Sequence, residues 1–193
     1  MKSPFYFLVK PIGGRYTNTK QVGDKKLLLN TEIANHAFIN RHAEVVSSPS
    51  AYKTDILPGD ELIIHHNVFR RWHDMKGREK NSRSFIKEDL FIVTFDQIFL
   101  HKNKNKWKPL KGYCFVQPVK SESKYELNPE KPLVGKVVYG SSDIKEGDIV
   151  GFSPGDEYEF VIDEKRLYRV MDKYITMKYE NKRNEETYNP SWA

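Results

Sequence analysis

At 193 residues the chain is long enough for one large domain or two small ones, each with a modest core. Hydrophobic residues make up 38% of it, which excludes a wholly disordered chain, and the aromatics, at 13%, fall largely in short alternating runs that favour strands over helices. The formal charge of +6, from 32 basic and 26 acidic residues, admits nucleic acid or acidic partners, but the two signs are interspersed and first describe a well-charged surface.

Cys114 is the single cysteine, which excludes an intramolecular disulfide and a cysteine-based zinc site and suits a reducing compartment. No stretch approaches the roughly 20 apolar residues of a membrane helix. The run Phe5–Val9 is too short for a signal-peptide core. The expected setting is the cytoplasm, with no membrane partner.

In chain order, Phe5–Ile12 (FYFLVKPI) reads as a strand stopped by Pro11. A long polar stretch follows, Gly13–Lys26, leading into Leu27-Leu28-Leu29. The best helix candidate lies within Thr31–Asn40, and Ala43–Ser47 is a short β-like run. Then Ile56-Leu57-Pro58-Gly59-Asp60-Glu61-Leu62-Ile63-Ile64 places a Gly-Asp turn ahead of an alternating strand. The basic segment Phe69–Arg83 comes next, and Leu90–Leu100 (LFIVTFDQIFL) closes the first half.

The same blocks then return in the same order. Gly112–Val119 (GYCFVQPV) answers the first strand, with Tyr113, Val116 and Pro118 matching Tyr6, Val9 and Pro11. Gly135–Tyr139 answers Ala43–Ser47, and Ile144–Phe152 answers the Gly-Asp sentence with Gly147-Asp148. Leu167–Met177 (LYRVMDKYITM) answers the closing run, Val170 matching Val93 and Ile175 matching Ile98. An ordered repeat of this kind predicts two homologous units. We read an all-β chain of two tandem small β-barrels, 1–103 and 108–181, joined by the basic linker Lys102–Lys106 and followed by a polar tail, 182–193, from which Tyr188 and Trp192 can dock. The separation between matched residues shrinks along the chain, so the first half carries extra residues at its first loop and after its Gly-Asp strand. Strands repeat and loops differ.

This pattern resembles the chaperonin-10 (GroES-type) co-chaperonin family. The resemblance rests on Val9-Lys10-Pro11 before a long loop, Ala43–Val46, Gly59–Ile64 and Asp96-Gln97-Ile98, and again on Gly135–Val138, Gly147–Val150 and Tyr174-Ile175. Tandem units with uneven loops are also similar to co-chaperonin-like proteins encoded by tailed bacteriophages, which would set the protein in a host cytoplasm. The resemblance implies GroES-like barrels and a mobile loop whose apolar tripeptide docks on a GroEL-type chaperonin ring. It also implies a homo-oligomer, and no enzymatic activity or cofactor in this chain, since ATP hydrolysis belongs to the partner. Leu27, Leu28 and Leu29 match the docking tripeptide by position, although the glycine pair that precedes the tripeptide in the family is missing. The other reading of these leucines is an ordinary barrel strand. The second unit's loop, Lys120–Lys131, is short and offers Tyr125 and Leu127 alone, and the hairpin that roofs the family's dome is absent from both halves.

Two or three buried leucines contribute roughly 1.5–3 kcal/mol each. Ordering loop residues costs about 1–2 kcal/mol apiece. One loop binds weakly on that balance, and several loops presented together by a ring gain orders of magnitude through effective concentration.

Other chemistry was weighed on the same terms. Arg70, Arg71, Trp72, Arg78 and Arg83 set arginines among aromatics, the combination that phosphate contact and base stacking use, so a nucleic-acid-binding tandem barrel is the alternative function. A solvated hairpin turning at Lys76-Gly77 is the plainer account of the same segment. A virion structural or assembly protein that reuses the fold is a further alternative. His65 and His66, taken as strand neighbours, would point to opposite faces and not share a metal. No phosphate loop or nucleophile motif is present.

Overall fold

The computed structural model describes residues 2–29, 33, 35–122, 129–155, 157–180 and 185–193. Seventeen strands and four short 3-10 turns make up its regular structure, so the chain is all-β. It divides into two compact units, 1–106 and 107–193.

The first unit contains β1 (Phe7–Pro11), β2 (Thr19–Val22), β3 (Lys25–Leu28), β4 (His42–Ser47), β5 (Glu61–Ile64), β6 (Arg71–His73), β7 (Glu79–Asn81), β8 (Phe85–Lys87), β9 (Leu90–Val93) and β10 (Ile98–Asn103). In β11 (Lys106–Pro109) the chain passes to the second unit, which contains β12 (Tyr113–Lys120), β13 (Glu130–Tyr139), β14 (Ile149–Phe152), β15 (Tyr158–Ile162), β16 (Lys165–Met171) and β17 (Ile175–Tyr179). One sheet runs in the order β11-β10-β5-β4-β1-β9-β8 and the other β15-β16-β12-β13-β14-β17. Reading β8-β9-β1-β4-β5-β10 against β15-β16-β12-β13-β14-β17, the two units have one topology.

The repeat extends to single residues. Val9 pairs with Val45 and Pro11 with Ala43, as Val116 pairs with Val137 and Pro118 with Gly135. Phe7 faces Val93 as Cys114 faces Val170. The register slips between Leu8 and Val9, and between Phe115 and Val116, so even the bulge is repeated. The Gly-Asp turns superpose in their bonding. Gly59 and Gly147 both take positive φ, at 91° and 86°, and donate to Val45 and Val137 at 2.8 Å. Asp60 accepts from the Leu57 amide at 2.8 Å, and Asp148 from that of Lys145 at 2.9 Å.

The central strands are buried on consecutive residues, Phe7-Leu8-Val9, Leu62-Ile63-Ile64 and Ile149–Phe152, so both of their faces are covered. Phe7, Val9, Leu62, Ile64, Phe91 and Val93 are buried in the first unit, and Cys114, Val116, Val137, Val150 and Val170 form a cluster in the second.

The expected barrels are met at the level of the all-β class and not at the level of closure. Among the described residues neither sheet closes on itself, since no ladder joins β8 to β11 or β15 to β17. Bulges bend the strands over the core, but the terminal strands stay unjoined. The basic linker is a hairpin turn, with Lys104 and Asn105 at φ 49° and 64° between β10 and β11. Two consecutive left-handed residues are what a tight hairpin asks for, which the lysine-asparagine composition conceals. The helix candidate contributes one 3-10 turn, His36–Phe38. Tyr125 and Leu127 lie outside the described residues.

The described part of the tail, 185–193, packs on the second unit. Thr187 bridges Val119, Tyr188 donates to the Pro118 carbonyl at 2.8 Å, and Asn189 accepts from the Arg166 amide at 2.9 Å. Trp192 receives the Arg166 guanidinium 5.8 Å from its ring centre.

Candidate functional site

The first unit differs from the second by two excursions, and the candidate site is built from both. Between β1 and β4 the chain leaves the main sheet as the separate hairpin β2-β3, turning at Gly23-Asp24. Gly23 sits at φ 58°, where a glycine turns without steric cost. Thr19 faces Leu28 and Lys20 faces Leu27, and Leu29 extends the ladder by donating to Asn18 at 2.7 Å. Leu27, Leu28 and Leu29 are 50%, 58% and 52% exposed. They are on a strand, but it belongs to no barrel sheet and buries none of them. The reading as an ordinary strand of the main sheet does not describe this arrangement.

The base of the excursion is clamped. Buried Asn40 donates through Nδ2 to the carbonyls of Ile12 and Gly14, both at 2.6 Å, and accepts from its neighbour His42 at 2.9 Å. Thr17 donates to Phe38 at 2.9 Å, Tyr16 bridges Ile39, and the Tyr16 hydroxyl donates to Ile33 at 2.7 Å. Asparagine with both amide protons on chain-entry carbonyls holds the two ends of the excursion together.

The second excursion supports the first. It is the hairpin β6-β7, turning at Asp74–Gly77, where the Asp74 carboxylate accepts from the amides of Lys76 and Arg78 at 2.9 Å each. Those bonds, foremost that from Arg78, hold the Asp74 carboxyl below its ordinary range. Arg15 reaches across to this excursion, donating to the Phe69 carbonyl at 2.9 Å and to Asn81 at 2.8 Å while lying over the rings of Phe85 and Phe91. The Arg71 amide donates to the Tyr16 hydroxyl at 3.0 Å, and its guanidinium covers the Tyr16 ring at 4.8 Å and pairs with Glu79 at 3.0 Å. Burial and the neighbouring Arg71 lower the Arg15 pKa, whereas Tyr16 and Glu79 raise that of Arg71 against the effect of its own burial.

The basic residues singled out in the sequence therefore divide. Arg71 is engaged as a brace on Tyr16 and Glu79, and Arg70 is half-buried. Trp72, Arg78 and Arg83 are exposed on or beside the hairpin. The sequence offered the leucine segment and the basic segment as separate candidates, and Arg15 and Tyr16 join them. No spacing rule pairs residues so far apart in the chain.

The histidine expectation needs correction. His65 ends the strand and caps the 3-10 turn His66–Val68, its Nδ1 accepting from the Asn67 amide at 3.1 Å. Leaving the strand removes the alternation, and the His65 and His66 rings stack at 4.3 Å. Among the described residues no group of three or more His, Cys, Asp or Glu is arranged to hold a metal. No helix among them is long and apolar enough to cross a membrane.

In the second unit, Arg166 pairs with Glu130 and with Glu159, the latter at 2.7 Å, and contacts the Tyr168 hydroxyl, which donates to Glu130 at 3.0 Å. Burial and the Glu130 carboxylate push the Tyr168 hydroxyl up to about 12, so it stays a donor at neutral pH. Arg166 also lies over the Trp192 ring, and its amide donates to Asn189.

No protein-family model matches the sequence, and no curated protein matches it.

Proposed function

We propose that the chain is a co-chaperonin-like protein of two tandem GroES-type units, which docks on a chaperonin ring through Leu27, Leu28 and Leu29. The observation that carries the reading is the exposure of three consecutive leucines on a hairpin that stands apart from the main sheet on a clamped base. Monomeric proteins bury such side chains unless a partner covers them. A hairpin already hydrogen-bonded from Thr19 to Leu29 leaves less chain to order on binding than a free loop, so more of the leucine burial appears as affinity. The second unit's loop, Lys120–Lys131, is short and carries only Tyr125 and Leu127 as apolar candidates in its sequence, which favours one docking element per chain. A homo-oligomeric ring would present several of these hairpins at once, turning weak single contacts into stable capping. ATP hydrolysis remains with the chaperonin, and this chain helps close its folding chamber.

The test mixes the protein with a bacterial chaperonin and ATP and follows co-migration on a sizing column. Co-migration of the wild type and its loss in Leu28→Asp support the reading. Identical behaviour of the two proteins, or a wild type that is monomeric and never co-migrates, sinks it.

A further inference from the structure

In the second unit a cavity of about 210 Å³ lies between the start of β13, the end of β14 and β16. Val134 and Phe152 are buried and floor it, while Leu133 and Glu157 are exposed at its mouth. The wall at β13 is a bulge. Pro118 pairs with Gly135 and Lys120 with Glu130, so Lys131–Val134 stand against Val119 alone. Within the bulge Leu133 sits at φ 57°, a left-handed conformation that leucine seldom takes, and such strain gathers where a fold shapes a ligand site.

The repeat shows what fills the matching space in the first unit. Tyr168 stands opposite Val116 as Phe91 stands opposite Val9. The Phe91 ring is covered by that of Phe69, 4.8 Å away, and by the Arg15 guanidinium at 5.0 Å. Both halves leave the strand after the Gly-Asp turn alike, His65 donating to the Gln97 carbonyl at 2.8 Å and Ser153 to that of Tyr174 at 2.9 Å. Four residues on, the first half has Phe69 and the second has Glu157. A carboxylate thus stands at the chain position of the phenylalanine plug. The charges around the cavity choose among ligands. Glu130 is engaged by Arg166 and by the Tyr168 hydroxyl, which donates to it at 3.0 Å. Lys131 pairs with Glu185 at 3.7 Å. Glu157 accepts from the Gly155 amide at 2.7 Å and makes no ion pair among the described residues. The result is an anionic mouth over an apolar floor.

We propose that this cavity binds a small organic ammonium ion, its charge on Glu157 and its apolar body against Leu133, Val134 and Phe152. The body takes the room that the Phe69 ring fills in the first unit, and the ammonium makes a charge-assisted hydrogen bond to the carboxylate. An apolar cavity of about 150 Å³ holds a benzene ring, so this one admits roughly eight non-hydrogen atoms. The site stands whether or not Leu27–Leu29 dock on a chaperonin.

The experiment titrates the full chain with three probes of similar shape, benzylamine, benzyl alcohol and benzoate, at fixed ionic strength and neutral pH. Methyl proton–carbon NMR reads Leu133 and Val134, with Leu27–Leu29 as remote controls. Saturable shifts of Leu133 and Val134 with benzylamine, and none with benzoate, are the expected result. Benzyl alcohol should bind about tenfold more weakly, the loss of one charge-assisted hydrogen bond. Glu157→Gln should weaken benzylamine about tenfold and leave benzyl alcohol unchanged. Glu157→Phe restores the first unit's plug and should abolish binding of both, with the backbone amide spectrum reporting the fold. Benzyl alcohol binding as tightly as benzylamine, or benzylamine binding undiminished in either variant, overturns the site. So do Leu133 and Val134 methyls that no probe moves, or that move no more than those of Leu27–Leu29.

Discussion

Val9 stands opposite Val45, and one step back along the strand the register slips so that Leu8 meets Ser47. Val116 and Val137 stand in the same relation, with Phe115 meeting Tyr139. Where the repeat is this close, a single departure from it becomes informative. Ala43 is buried opposite Pro11, and its counterpart opposite Pro118 is Gly135. A Cβ on Gly135 would lie 2.7 Å from Val116 Cγ2 and 2.8 Å from its Cβ. Gly135→Ala should therefore destabilise the second unit by about 1–3 kcal/mol, as overpacking does. Ala43→Gly should cost about 1 kcal/mol through chain entropy. Urea midpoints measure both, and an unchanged midpoint for Gly135→Ala would contradict the packing described.

The two Gly-Asp turns should differ in what they contribute. Asp148 is buried, accepts from the Lys145 amide and pairs with Lys178 at 2.6 Å. Asp60 makes the equivalent amide bond at an exposed turn, with a longer contact to Asn103 at 3.3 Å. Asp148→Ala is expected to cost about 2–3 kcal/mol, because it removes the charge-assisted bond from the part-buried Lys145 amide and leaves Lys178 without this partner. Asp60→Ala should cost about 1 kcal/mol. Equal losses in thermal unfolding would show that the turn bond alone matters.

His66 gives the first unit a pH dependence with a definite sign. Its folded-state pKa is lowered from 6.5 to about 4 by burial, then by His65, Arg41, His36 and Arg70. Between those values the unfolded chain binds more protons, so stability is complete above pH 6.5 and declines as the pH falls toward 4. His66→Gln should flatten the stability curve across that window. A curve with the same slope in the variant would remove His66 as its source.

Arg15 should matter to docking without touching a partner. It ties the base of the leucine hairpin to Phe69 and Asn81. Arg15→Gln is expected to speed amide exchange in β2 and β3 and to weaken chaperonin binding several-fold, with all three leucines intact. Unaltered exchange in those strands would show that the clamp at Asn40 suffices.

Leu28→Asp, in contrast, should leave the unfolding midpoint within about 0.5 kcal/mol of the wild type, since the side chain is exposed off the main sheet. A large loss of stability would mean that the leucines pack on the protein itself.

Much of the fold was legible because short apolar runs such as Phe7-Leu8-Val9 and Leu62-Ile63-Ile64, bounded by Pro11 and by the Gly59-Asp60 turn, mark buried strands. The residues matched between the halves, Val9 with Val116 and Val93 with Val170, occupy equivalent places in the two sheets. What escaped was whatever long-range side chains decide. Arg15 and Tyr16 read as polar loop residues, yet they join two excursions. The lysines and asparagines at 102–106 read as a linker, because a left-handed pair at Lys104 and Asn105 carries no glycine to announce it. His65 and His66 continued an apolar strand in sequence and left it in space, since a histidine can cap a turn with its own ring nitrogen. Strand closure was likewise beyond the pattern, which records faces and not edges.

Cys114 lies wholly buried among Val116, Val137, Val150 and Val170. A thiol reagent can reach that sulfur only when the second unit opens, so the rate of alkylation clocks that opening and nothing in the first unit contributes to it. The chain carries a built-in reporter for one half of itself. Run beside a probe of global unfolding, it tells whether the two repeats come apart together or one after the other.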